Sequence, residues 1–238
     1  MSGSVKWLSH ACFKITSAKG RIIYIDPFFV DNPLRPISLD DVKVANIVLI
    51  THDHPDHVGD AVDIAENTGA TVVAQPETVG RMISDLGLSV ERVVNFGTGI
   101  NIGATVLIDG ITITMTQACH SSQTASNSGF IVKLDDGYTI YHAGDTGIFA
   151  NMQLYGCLYP LHIALLPIGS VFTMDAKQAA GSLQLLKPAV AIPMHFATFP
   201  ILAPSADAFV GLAKKAAPEV EVIVLKPGQS YTLKAGSY

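Results

Sequence analysis

Residues 45–50, Ala-Asn-Ile-Val-Leu-Ile, form an apolar run that leads directly into Thr51-His52-Asp53-His54-Pro55-Asp56-His57. A short apolar run without alternation suits a strand buried on both faces, which requires packed layers on either side of its sheet. That strand delivers three imidazoles and two carboxylates to one turn. His52 and His54 are two apart, so in extended chain they point to the same side, whereas Asp56 and His57 lie beyond Pro55 and can face a second centre. Two imidazoles beside a carboxylate and imidazole pair suit two borderline metal ions. The plainer alternative is a polar helix-capping turn in which Asp53 or Asp56 caps and the histidines lie on the surface.

The rest of the chain alternates β-rich and α/β stretches. Short strands are expected near 5–8, 11–17 and 21–26, followed by a loop from Phe28 to Pro36 that leaves a strand end, where sites commonly form. After the histidine cluster come a helix near 57–67, a strand near 71–74, a helix near 76–86 and a strand near 91–95. A second meander follows, with strands at 104–108 and 111–117 across Asp109-Gly110 and at 130–134 and 138–141 across Asp136-Gly137. Strands at 163–166, 189–193 and 220–225 then alternate with helices near 175–186 and 206–217. The second half repeats the element order of the first. No linker separates them, so residues 1–238 are expected to form a single domain.

Composition narrows the function classes. Apolar residues make up 49% and charged residues 15% of the chain, which favours a thick layered core over a solvated chain. A formal charge of -5 with no Lys/Arg cluster argues against a phosphate-gripping surface, so long nucleic acid is not an expected partner. Cys12, Cys119 and Cys157 are scattered, with no Cys-x-x-Cys pair, as in a reduced cytoplasmic protein. No leader-like segment opens the sequence and no apolar run reaches the roughly 18 residues of a membrane span, so neither export nor a membrane is expected. The high apolar content leaves surface for an interface, and a homo-oligomer is expected.

The His-x-His-x-Asp-His motif after an apolar strand resembles the signature of the metallo-β-lactamase superfamily, and the resemblance extends along almost the whole chain. Its later motifs occur in order: His120 in Ala-Cys-His-Ser-Ser, Asp145 in Tyr-His-Ala-Gly-Asp-Thr and His195 in Ile-Pro-Met-His-Phe. The resemblance implies an α/β (α+β) fold, a four-layer αββα sandwich of two mixed β-sheets with helices on both outer faces. It also implies two divalent metal ions, Zn2+ by default, with Mn2+, Fe2+ or Ni2+ acceptable to the same donors. His52, His54 and His120 would hold one ion, Asp56, His57 and His195 the other, and Asp145 would bridge them. The implied reaction is hydrolysis by a dinuclear metal-bound hydroxide, with Asp56 moving the proton and no serine or cysteine nucleophile. Cys119 is read as a small packing residue.

Several residues are expected around this set. Asp26, in Ile-Asp-Pro, resembles an acidic residue that steadies the metal-bearing loop. His142 is placed to orient a carboxylate ligand or to serve as a buried structural group. His10 matches a recurring amino-terminal histidine of the subgroup, while His162 is read as a strand-end residue. Arg35 as the only cation of its loop, the stretch 169–174 and Phe199 in Phe-Pro-Ile-Leu are the expected pocket walls. These pieces resemble uncharacterised metal-dependent hydrolases related to the L-ascorbate-6-phosphate lactonase, which implies a small lactone, ester or phosphoester substrate. A phosphodiesterase or RNA-processing nuclease of the same superfamily would want a basic face. A diiron electron-transfer protein of this fold would place a carboxylate where His54 stands, and a non-catalytic metal-binding protein would have lost a ligand.

Overall fold

The computed structural model describes residues 3–233. Thirteen strands form two mixed sheets among the described residues. The first sheet has the order β13-β1-β2-β3-β4-β5, built from β1 (Ser4–Trp7), β2 (Phe13–Thr16), β3 (Ile22–Ile25), β4 (Ile47–Leu49), β5 (Thr71–Val73) and β13 (Ser230–Thr232). The second has the order β12-β11-β10-β9-β8-β7-β6, from β6 (Thr105–Ile108), β7 (Ile111–Gln117), β8 (Ser128–Lys133), β9 (Thr139–His142), β10 (Ile163–Pro167), β11 (Val190–Met194) and β12 (Glu221–Val222). Each sheet is antiparallel in its meander and turns parallel at one strand, β3 in the first and β9 in the second. The repeated element order in the sequence thus corresponds to one sheet per half, with β13 returning to pair with β1.

Layering follows from side-chain alternation along β4. Ile47 and Leu49 enter the core between the sheets with Phe13, Ile15, Ile113 and Phe130, whereas Val48 and Ile50 pack with Ile64, Ala65 and Met82. Those last residues belong to α2 (Ala61–Thr68) and α3 (Pro76–Leu86), which cover the outer face of the first sheet. On the second sheet, β10 and β11 are buried along their whole length. Their neighbours in the core include Leu183 of α6 (Ala176–Leu186) and Phe209 of α7 (Asp207–Ala216). The helix–sheet–sheet–helix order matches the expected architecture.

Local departures have physical causes. The helix expected over 57–67 is two pieces, α1 (Pro55–Val58) and α2, because Gly59 between them sits at φ 34° and ψ -118°, outside helical space. A β-carbon there would lie 2.2 Å from the Pro27 carbonyl oxygen. The strand expected at 91–95 is a 3-10 turn (Val90–Arg92) followed by α4 (Val94–Gly97), in which Asn95 and Phe96 have left-handed backbone. Its β-branched residues serve the core through Val93, which makes a single bridge to Val72. The strand expected at 220–225 is paired only over Glu221–Val222, and α5 (Met152–Leu158) has no counterpart in the expected elements. No helix among the described residues is long and apolar enough to cross a membrane.

Replacing Gly59 by Ala is predicted to destabilise the fold by about 2 kcal/mol or more, since the conformation is strained for an L side chain and the Pro27 carbonyl blocks it. An unchanged urea midpoint for that variant would reject this account of the break between α1 and α2.

Candidate metal centre

The site lies where the strands of both sheets end. β3 leads into Asp26, β4 into His52 and His54, β7 into His120, β9 into Asp145 and β11 into His195. Asp56 and His57 sit in α1, for which Pro55 opens the first turn. Ligand sites of α/β sheets form at the carboxyl ends of strands, and Asp26 and Asp145 leave β3 and β9, the strands at which pairing changes from antiparallel to parallel. The two sheets are joined directly beneath the site. Ser128, at the start of β8, donates its backbone N–H (3.1 Å) and its hydroxyl (2.7 Å) to the Thr51 carbonyl.

Every residue of the expected ligand set is brought to one place. Donor atoms of His52, His54 and His120 all lie within 4.8 Å of one another, as do those of His52, His57 and Asp145, and those of His10, Asp56, His57 and His195. His52 Nε2 and His54 Nδ1 are 3.0 Å apart. Asp145 Oδ2 lies 3.1 Å from His195 Nε2, 3.3 Å from His57 Nε2 and 3.8 Å from His120 Nε2. The donor set fits a cation. Among the described residues, His57 Nε2 and Asp145 Oδ1 are buried without a hydrogen-bond partner, a costly arrangement unless something else engages them.

Tautomers are assigned by one buried carboxylate. Asp26 accepts from the Thr51 amide (2.8 Å), the Thr51 hydroxyl (2.7 Å) and His57 Nδ1 (2.8 Å). Its bond to Nδ1–H leaves Nε2 as the His57 nitrogen facing the cluster, the one that a cation would engage in place of a proton. Since the Thr51 hydroxyl donates to Asp26, it accepts from His52 Nδ1 at 3.0 Å, and His52 Nε2 is a bare lone pair. Burial, then the neighbouring His57, push the His52 imidazole down to about 2, so it stays neutral. Burial alone would lower His57 too, but Asp145 and Asp26 raise it well above the usual histidine range. Burial opposes ionisation of Asp145, yet His195 and His57 hold it well below the usual carboxylate range. The pocket therefore attracts positive charge at its centre.

His195 has positive φ (58°), and its ring packs over Gly169, where a β-carbon would lie 2.7 Å from Nδ1. A cleft of about 290 Å³ opens above the cluster, lined by His54, Asp56, His120, Ser121, Asp145, Phe172 and His195. Phe172 belongs to the expected wall at 169–174. Phe199 instead packs edge-on against the His10 ring at 5.5 Å. His10 is buried beside Asp56, and burial followed by the nearby His195 pushes its imidazole down to about 4.

Two expectations need correction. Arg35 is not a free cation of the cleft: its Nη1 donates to the carbonyls of Val30 (2.9 Å), Phe29 (3.4 Å) and Asn32 (3.4 Å), stapling its own loop. His142 does not orient a carboxylate. Its Nε2 bonds the Ala11 carbonyl at 2.9 Å and its Nδ1 accepts from the Gly144 amide at 3.1 Å, the structural alternative. Asp53, assigned only a capping role in the plainer alternative, accepts from Thr124 (2.6 Å), Ser122 and the Gln123 amide (both 2.7 Å) and Arg81 (3.1 Å). Burial alone would raise the Asp53 carboxyl, but these donors hold it below the usual carboxylate range. Asp53 thereby pins the loop after His120 to the motif. Its separation from that loop by about seventy residues hides this role from any local pattern.

The comparisons agree with this geometry. A family profile described as a β-lactamase superfamily domain matches residues 4–195. A UPF0173 metal-dependent hydrolase of Nitratidesulfovibrio vulgaris is 46% identical over 233 residues, covering 98% of this chain and 96% of that protein. Another, from Caldivirga maquilingensis, is 42% identical over 232 residues, covering 97% of this chain and 98% of that one. Igni18, a metallo hydrolase from the archaeon Ignicoccus hospitalis, superposes with a TM-score of 0.86 at 36% identity, covering 98% of this chain and 99% of its own. Because the likeness spans both sheets and every strand end described above, the chain belongs to the metallo-β-lactamase superfamily and is a metal-dependent hydrolase.

Proposed function

We propose that the protein hydrolyses a small ester or lactone with two divalent ions, one on His52, His54 and His120, the other on Asp56, His57 and His195, with Asp145 between them. One observation carries this reading: a single Asp145 oxygen lies within 3.8 Å of a nitrogen from each trio. Zinc is the default, and manganese, iron or nickel would suit the same donors. When bound, two such ions lower the pKa of a shared water and polarise the attacked carbonyl. Asp56, whose side chain is one third exposed, borders the cleft and is placed to accept the proton of the attacking water at its carboxylate. Ser121 and Phe172 line the same cleft and would position the acyl portion.

What lines the cleft supports this choice of substrate class. Its residues include no lysine or arginine, and the guanidinium of Arg35 is engaged by backbone carbonyls. Beyond the ions themselves, no cationic side chain lines the cleft to grip further phosphates, which supports a weakly charged ester or lactone over a polyanion. The three free cysteines support a cytoplasmic location. Phe96, Leu107 and Leu158 stand exposed, which supports a homo-oligomer. A monomeric mass in sedimentation would reject that assembly.

Elemental analysis of protein purified without chelator is expected to give about two metal ions per chain, with turnover in a screen of lactones and carboxylic esters. Turnover of phosphodiesters alone would replace the ester reading with the nuclease one. His54→Ala should remove one ion and lower the rate by orders of magnitude, whereas Asp145→Asn should weaken both ions. An Asp145→Asn protein retaining both ions at wild-type affinity would show the bridging assignment to be wrong. Asp26→Asn should cost roughly 10–100-fold in metal affinity, because it loosens the orientation of His57 and, through Thr51, of His52.

A further inference from the structure

Asp56 is the least supported carboxylate of the cluster. Asp26 accepts three hydrogen bonds, and Asp145 is buried between imidazoles. By contrast, the only hydrogen bond to the Asp56 carboxylate among the described residues comes from His10, whose Nε2 lies 3.0 Å from Oδ2. On the other side of the same ring, His10 Nδ1 lies 3.1 Å from the Thr198 hydroxyl.

The tautomer follows from the acceptor. An ionised carboxylate has no proton to give, so the short contact requires the proton on His10 Nε2. Nδ1 of the neutral ring is then a lone pair, and the Thr198 hydroxyl donates to it. The competing acceptor for that hydroxyl, the Phe196 carbonyl, is more distant at 3.4 Å. Thr198, His10 and Asp56 come from the loop after β11, the loop after β1 and α1, so this short chain of bonds spans both sheets.

The backbone is bent to hold the ring there. Ser9 and His10 are consecutive non-glycine residues at φ 80° and 54°, a left-handed conformation that is strained for L side chains. The strained His10 carbonyl is used twice, accepting from Trp7 Nε1 at 2.9 Å and from the His195 amide at 3.0 Å. The ring itself is wholly buried, 3.9 Å from the His195 ring and edge-on to Phe28 and Phe199. A side chain fixed this thoroughly has little rotameric freedom, and its N–H is aimed at one carboxylate oxygen.

We propose that Thr198 and His10 are positioning residues that fix the Asp56 carboxylate for the second metal ion, Thr198 setting the tautomer and His10 holding Oδ2. This rests on the reading of Asp56 as a ligand. It parallels the arrangement at His57, where Asp26 sets the tautomer of an imidazole, but with the roles of acid and imidazole reversed.

The test is cobalt or zinc titration of metal-stripped full-length protein, following the affinities of the two sites separately by competition with a chromophoric chelator. The variants are Thr198→Val, Thr198→Ser, His10→Ala and His10→Gln, with thermal melts as a folding control. Expected are a second site weakened roughly 10–100-fold in His10→Ala and by a smaller factor in Thr198→Val, with the three-histidine site unchanged. Thr198→Ser, which retains the donor, and His10→Gln, which retains an N–H toward Asp56, should recover much of the loss. Thr198→Val is nearly isosteric and keeps the proposal testable should His10→Ala fail to fold. A folded Thr198→Val protein with both sites at wild-type affinity overturns the relay. Wild-type protein that takes up only one ion overturns instead the two-ion reading beneath it, and the relay with it.

Discussion

The Asp26 carboxylate is the contact on which the arrangement of the cluster depends. It is fully buried, and burying a carboxylate is expensive unless its lone pairs are engaged. Thr51 and His57 engage them, and in doing so they convert one acidic group into two oriented imidazoles. Asp26 is also where β3 stops: its amide still bonds the Leu49 carbonyl, while its own φ of 46° turns the chain away from the sheet. The same residue therefore ends a strand, receives the end of the next strand and fixes the direction of two nitrogen lone pairs.

Around that contact, packing and polarity are separated by strand position. The middles of β4, β9, β10 and β11 are buried along their length and make the core, while their carboxyl ends carry the polar groups. Rigid strand ends suit donors that must converge to within a few ångströms, because the sheet transmits little positional error. The loops beyond them can then vary in composition without moving the donors. The cleft shows this division: its histidines and carboxylates stand on strand ends or α1, whereas Phe172 and Ser121 stand on loops.

Much of this was legible in the sequence because it is local. The run Ile47 to Ile50 announced a doubly covered strand, and the spacing from His52 to His57 announced converging donors. His120, Asp145 and His195 are individually ordinary and gained meaning from their order and the resemblance. What escaped detection depends on long-range geometry. Thr51, Asp53 and Thr198 are small polar residues whose partners lie 25, 69 to 71 and 188 positions away. Arg35 has the chemistry of a pocket cation, yet backbone carbonyls of its own loop claim it, and of the two roles open to His142 its backbone partners select the structural one. The turn at 94–97 misled in another way, since its β-branched neighbours favour a strand while Asn95 and Gly97 tolerate the left-handed bends actually taken.

Because the cluster draws donors from the ends of both sheets, cation binding and chain folding share one equilibrium. An ion bound by His52, which ends a strand of the first sheet, and by His120, which follows a strand of the second, is lost whenever the halves part. Mass action then adds about 2.7 kcal/mol to the native state when free metal stands at a hundred times its dissociation constant, and less as metal becomes scarce. The amount of intact protein in a cell would thus follow its metal supply, and starvation for the ion would deplete the protein as well as its activity.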